Sequence, residues 1–216
     1  MTALLRYQTA LLLRSQRWLA PFLLYAAYVG VGLRPGEPVV GALGYAVTGL
    51  VPVAAWGVRI CLGKEPPAAR AVIAAAAGPA RAHLAGILTA LAAVLLVAAV
   101  TVLGVTAVSD HRGVTPLTAG TAGLLAAAVC VLTGTAVGTL SSRPLIAPRG
   151  WSLAALLLGS LLALVTTGSP AHAAVTSLVT GDRTATVPLP WPALVGAVLL
   201  AAVAAAVACR LTARRM

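Results

Sequence analysis

Charge is what this sequence has least of. Only 9% of its 216 residues are Asp, Glu, Lys or Arg, whereas a soluble domain carries about one quarter. Acids are the scarcest of all: Glu37, Glu65, Asp110 and Asp182 are the full set, and none lies inside a long apolar run. That scarcity disfavours a metal- or acid-dependent enzyme, which needs clustered carboxylates. It also disfavours a proton- or sodium-coupled carrier, which places ionisable groups within the membrane despite their cost. The phosphate loop GxxxxGK[ST], the zinc motif HExxH and the serine elbow GxSxG are all missing. Three cysteines, Cys61, Cys130 and Cys209, lie far apart within or at the ends of apolar runs. An odd count without metal spacing argues against a disulfide framework and leaves them as small packing residues.

What the chain does have is apolar length. Its hydrophobic fraction is 60% and its mean hydropathy +1.00. Pro38–Val58, Leu84–Ser109, Gly113–Ser142 and Thr184–Cys209 are free of charge, and each reaches the ~20 residues that cross a bilayer as helix. The expectation is an all-α membrane protein. Its net charge of +11 forms no basic face; the charges stand in small groups between apolar runs, as topology signals do, so nucleic acid is not expected as a partner. The first apolar run opens only at Trp18, after a basic lead, and no small-x-small site follows it, so no cleaved signal peptide is expected.

Residues 1–17, "MTALLRYQTALLLRSQR", read as a lopsided helix. Arg6, Arg14 and Arg17 share one side, Leu4, Leu5, Tyr7, Leu11 and Leu12 the other, and Gln8 and Ser15 interrupt the apolar face. An interfacial helix fits, with Arg toward lipid phosphates and Leu toward acyl chains. Six spans are expected, over about 18–33, 39–58, 84–108, 117–140, 151–167 and 191–209. With a cytoplasmic N-terminus, twelve of the fifteen basic residues fall inside and three of the four acids outside, as the positive-inside rule requires. Trp18, Tyr25 and Tyr28 are expected near the interfaces.

The stretch "GKEPPAARAVIAAAAGPARAH", 63–83, is too short to span. Its apolar middle, Ala71–Ala80, would reach about 15 Å as helix, half a hydrocarbon core. Pro66-Pro67 and Gly78-Pro79 frame one short helix at the cytoplasmic surface. His83, His111 and His172 fall in loops on this reading. "DHR" at 110–112 reads as a solvated turn. Thr101, Thr118, Thr121, Thr133 and Thr135 read mostly as threonines bonded to their own helix backbone. "GTAVG", Gly134 to Gly138, is a small-xxx-small packing motif that could mark a dimer face.

This layout resembles ABC-2 type permeases, the membrane subunits of ABC exporters, over essentially the whole chain. Glu65, the apolar run 71–77, Pro79 with Arg81, and Gly86 stand where that family has an acid after span 2, a short apolar helix, a Pro with a basic residue, and a Gly opening span 3. Pro66-Pro67-Ala68-Ala69 departs from the family's usual turn. The lead "LLRYQTALLLRSQRWLAPFLL" is similar to permeases from high-GC bacteria, as is the preference for Arg over Lys.

The resemblance implies an elbow helix carrying Arg6, Arg14 and Arg17, and six spans with both termini cytoplasmic in a bacterial plasma membrane. It implies docking of an ATPase on 64–83 and 141–150, with Glu65, Arg70, Pro79, Arg81, Arg143 and Arg149 as the coupling candidates. Residues 171–180 would form a re-entrant element in the outer leaflet. The chain itself would hold no metal or cofactor; ATP and Mg would belong to a P-loop ATPase subunit. A second permease copy or a paralogue would complete a homo- or heterodimer among membrane lipids, and an apolar or amphiphilic cargo suits uncharged spans better than an ion. The alternative from another class is a non-transport membrane scaffold, which explains the missing chemistry but neither the elbow nor the paired cytosolic loops. An integral-membrane enzyme comes third.

Overall fold

The structure, a computed structural model, describes residues 1–34, 36–111, 114–142, 149–184 and 189–214, without the side chains of residues 67, 149 and 182–184. Ten helices occupy these residues: α1 (Thr2–Ser15), α2 (Leu19–Gly32), α3 (Val39–Thr48), α4 (Leu50–Gly63), α5 (Pro67–Ala77), α6 (Pro79–Val108), α7 (Pro116–Leu140), α8 (Arg149–Val165), α9 (Pro170–Thr184) and α10 (Trp191–Arg214). Four stretches are long and apolar enough to cross a membrane: Val39–Gly63, which joins α3 and α4, then α6, α7 and α10. The α8–α9 pair, bent by 46°, makes a fifth if taken as one broken span. α2 and α5 are apolar but shorter.

The helix ends follow local chemistry. Pro116 sits at N1 of α7, and the Thr115 hydroxyl accepts the Thr118 amide at 3.3 Å, a first-turn cap. α5 and α6 also open on proline. α6 therefore begins at Pro79, five residues before the expected start of span 3, and carries Arg81 and His83 inside a helix. His172 likewise lies in α9, where its Nδ1 pairs with the Leu164 carbonyl at 2.8 Å. The expected span over 39–58 is broken at Gly49 into α3 and α4 and runs on to Gly63.

α7 is the centre, packed by α4, α6 and α10 and touched also by α3, α8 and α9. Its burial is nearly all round: Ala119, Ala122, Ala126, Ala127, Val129, Cys130 and Val131 are buried, as a core helix requires. The burial of the spanning stretches divides them. Within the most apolar 18 residues of each, 67% are buried in Val39–Gly63 and in α7, but 22% in α6 and 17% in α10, so the first pair is core and the second rim. The α4–α7 crossing is backbone on backbone. A Cβ on Gly134 would collide with the Val51 carbonyl, and one on Gly138 with that of Ala55. The small-xxx-small motif is thus consumed inside the chain, leaving no free face there for a second copy. The hydroxyls of Thr118, Thr121, Thr133 and Thr135 all donate to carbonyls three or four residues back, the backbone bonding expected of threonines inside helices.

Two features fix the end of the bundle away from α1. The Val39 amide donates to the Asp110 carbonyl at 2.9 Å and the Asp110 amide to the Glu37 carbonyl at 3.1 Å, tying the start of α3 to the end of α6. Tyr25, expected at an interface, is buried instead, and its hydroxyl donates to the Ala46 carbonyl at 3.1 Å. The reason is the break at Gly49: the last turn of α3 has carbonyls without a helical partner. Tyr28 stacks on Tyr45 at 4.3 Å, and each hydroxyl donates to the other residue's carbonyl.

Candidate functional site

A cluster of polar groups lies where α1, the end of α4, α5, the start of α6 and the end of α10 meet. α5 runs over the helix framed by Pro66-Pro67 and Gly78-Pro79. The Gly78 amide closes it onto the Ala74 carbonyl at 2.9 Å, with Gly78 at φ +86°, a left-handed conformation that glycine adopts without strain. The chain reverses there and enters α6 at once, so α5 and α6 are joined by a single residue.

Gln8 is the hub. It is 2% exposed on a helix whose Arg6 and Arg14 are exposed; α1 ends at Ser15 because Gln16 turns left-handed at φ 51°, so Arg17, expected on the same helix, lies just beyond it. Its Nε2 donates to Glu65 Oε1 at 2.5 Å, and its backbone carbonyl accepts from Lys64 Nζ at 2.8 Å. One side chain after α4 thus grips the amide of Gln8 and its neighbour grips the backbone. Arg70, in the first turn of α5, donates to the Glu65 carbonyl at 3.1 Å, extending the clasp to α5. Beneath it Leu12 packs with Val58, Cys61 and Ala90. Burial pushes the Lys64 ammonium below its ordinary 10.5, against the opposing influence of Cys61 and Glu65; a charge drawn out of water favours losing its proton.

A cavity of about 40 Å³ with both polar and apolar lining lies inside this junction, bordered by Gln8, Glu65, Arg70, Pro79, His83 and Thr212 among others. Gln8 Oε1 and His83 Nε2 are buried and without a hydrogen-bond partner, and a partly polar space of this size accommodates a water that could serve them. On the other side, Cys209 of α10 donates to the Ala80 carbonyl at 3.6 Å. The outer face of α5 is unoccupied: Ala68, Ala71, Val72, Ala75 and Ala76 form an exposed apolar stripe with helical spacing.

The expected docking residues fall into three groups. Glu65, Arg70 and Pro79 come together around the cavity, with Glu65 and Arg70 engaged inside the chain. Arg81 is exposed, with no side-chain partner among the described residues. Arg143 and the rest of 143–148 lie outside the described residues, and Arg149 opens α8 with its side chain undescribed, while Ser141 and Ser142, at the start of the expected 141–150 loop, are buried. The sequence reading missed Gln8, which it treated as a blemish on an apolar face. The signal was its place between Leu5 and Leu12 on one helical stripe, the stripe that meets protein. Among the described residues no three of His, Cys, Asp and Glu gather as metal ligands. Comparison of the chain with protein-family models, with curated proteins and with solved structures finds no match.

Proposed function

We propose that the chain is the membrane-spanning permease subunit of an ABC-2 type exporter, driven by a separate ATPase. The observation that carries this reading is α5: a short helix at one end of the bundle, apolar and open on its outer face, clasped to α1 and joined through one residue to the long helix α6. An element built so can receive a push on its open face and pass it to α6 as a lever. Arg81, exposed at the start of α6, would offer a cation to an acidic partner surface, and Arg143 and Arg149 would contribute from the 141–150 loop. Glu65 and Arg70 would act by holding α5 in place.

In this reading α2, α3–α4, α6, α7, α8 and α10 are six spans. α2 and α8, with 14 and 17 residues, are short for a ~30 Å core, a mismatch met by local thinning and by flanking Arg side chains. α9 would be the re-entrant element, α1 the interfacial elbow, and both termini cytoplasmic in a bacterial plasma membrane. Because ABC ATPases work in pairs, a second permease, identical or paralogous, would complete the transporter. An apolar or amphiphilic cargo suits its uncharged spans.

The test is a pull-down of the tagged chain from its native host in mild detergent, with mass spectrometry and ATPase assay of the eluate. Co-elution of a P-loop ATPase, lost when the exposed α5 stripe is changed by Val72→Glu and Ala76→Glu, is expected. A chain that elutes without an ATPase, under conditions that keep a known ABC complex whole, would turn the reading toward a membrane scaffold.

A further inference from the structure

On the rim of the bundle, between α2 and α6, a groove of about 490 Å³ opens sideways, a volume within the usual range for ligand sites. Its walls are Phe22, Val29 and Leu33 from α2 and Val97, Val105 and Val108 from α6. From Phe22 to Gly32 it follows about 15 Å of helix, the depth of one leaflet's hydrocarbon, and the chain then continues extended through Leu33 to Arg34. It lies in the half of the bundle away from α1, the half where the α3–α6 tie sits. Toward its inner end, near Phe22, Tyr25 turns its hydroxyl to the Ala46 carbonyl, with Thr101 beside it, so the tyrosine's polar end is already satisfied. Gly30 and Gly104 line it from opposite walls, and an added Cβ at either would meet no atom within 4 Å. The space is real room left by two missing side chains.

Arg34 and Ser109 stand at its outer end. Arg34 is exposed and has no side-chain partner among the described residues. A narrow apolar slot one leaflet deep, ending in an exposed guanidinium, is complementary to one kind of molecule. We propose that the α2–α6 groove holds one acyl chain of a membrane phospholipid, with the lipid's phosphate on Arg34. Guanidinium and phosphate form strong charge-assisted hydrogen bonds, and Gly30 and Gly104 leave the width for the chain. Glu37, three residues beyond Arg34, makes the rim one of mixed charge, so a headgroup carrying both phosphate and amine suits it better than a purely anionic one. The proposal does not depend on the permease reading, since a scaffold could hold the same lipid.

The test is to delipidate the purified full chain in detergent and titrate it with dioleoyl phosphatidylethanolamine or with dioleoylglycerol, which has the same chains and no phosphate. Occupancy is read by native mass spectrometry. The wild type should bind one phosphatidylethanolamine at about tenfold lower concentration than the diacylglycerol, the scale of one hydrogen-bonded charge. Arg34→Gln should abolish most of that preference. Gly104→Leu, whose Cβ meets no protein atom within 4 Å and whose remaining atoms enter the groove, should reduce occupancy by both lipids, and Gly30→Leu should do so from the other wall. Equal affinity of the wild type for the two lipids, or unchanged occupancy in both filled variants, would overturn the proposal. So would an efficient disulfide between two Gly104→Cys chains in membranes, which would seat a second copy of the chain in the groove.

Discussion

Gln8 carries more structural consequence than any other polar residue of α1. Burying an amide costs free energy unless it is paired, and here the pairing comes from Glu65, 57 positions along the chain. Glu65→Ala would leave the Gln8 Nε2 buried without an acceptor, at a cost of about 1–3 kcal/mol, whereas Glu65→Gln keeps an acceptor oxygen and should be tolerated. Gln8→Ala should destabilise comparably, and the double variant by less than the sum, because residues in contact couple by about 0.5–3 kcal/mol. Thermal unfolding in detergent reads all three; strict additivity would mean the two side chains do not act together. Lys64 adds a pH dependence of definite sign. Between its depressed folded value and 10.5 the unfolded chain holds a proton that the folded chain has released, so the contribution of Lys64 to stability rises with pH across that window. The difference between wild type and Lys64→Met, melted at a series of alkaline pH values, should follow that slope. None of this was legible in the sequence, where a helical wheel sorts residues by polarity but does not say which face meets protein and which meets lipid.

At the scale of elements, proline and glycine were the most readable residues. Pro66-Pro67 and Gly78-Pro79 mark the two ends of α5 because φ is fixed at one and left-handed at the other. The same signal misled the reading of α6: Pro79, taken as a stop, is also the first-turn proline of the next helix, and the nearby Arg81 and His83 disguised the start of a span. Gly78 is therefore the angle-setting joint between α5 and α6. Gly78→Ala has room for its methyl group, since nothing lies within 4 Å, so its cost is backbone strain, about 1–3 kcal/mol. It should lower the melting temperature modestly and, if the permease proposal holds, weaken capture of the proposed ATPase partner by changing how α5 is presented. Gly63→Ala, also in open space but without a positive φ, should change neither. Equal behaviour of the two variants would remove Gly78 from the lever.

At the scale of the whole molecule, the membrane character was legible because long uncharged runs have few other uses, and the structure is helical as those runs require. The number of spans was less legible, since α2 and α8 are shorter than a bilayer and the Val39–Gly63 stretch hides its break at an ordinary-looking glycine. Leu96, Val100 and Leu103 on α6 and Val195, Leu199 and Val203 on α10 are exposed, giving the rim an apolar surface suited to lipid. The proposed orientation makes a direct prediction. In a Cys209→Ser background, where Cys61 and Cys130 are buried, Ser109→Cys should react with an impermeant maleimide on intact cells and Ala68→Cys only after lysis; the reverse pattern would invert the topology. The bare crossing of α4 and α7 sets how this chain tolerates change. Where two backbones touch, no neighbouring side chain can shrink to compensate for a methyl group. In a saturation library, positions 134 and 138 should therefore accept glycine alone, and second-site suppressors should be rarest there, however freely the alanines around them are exchanged.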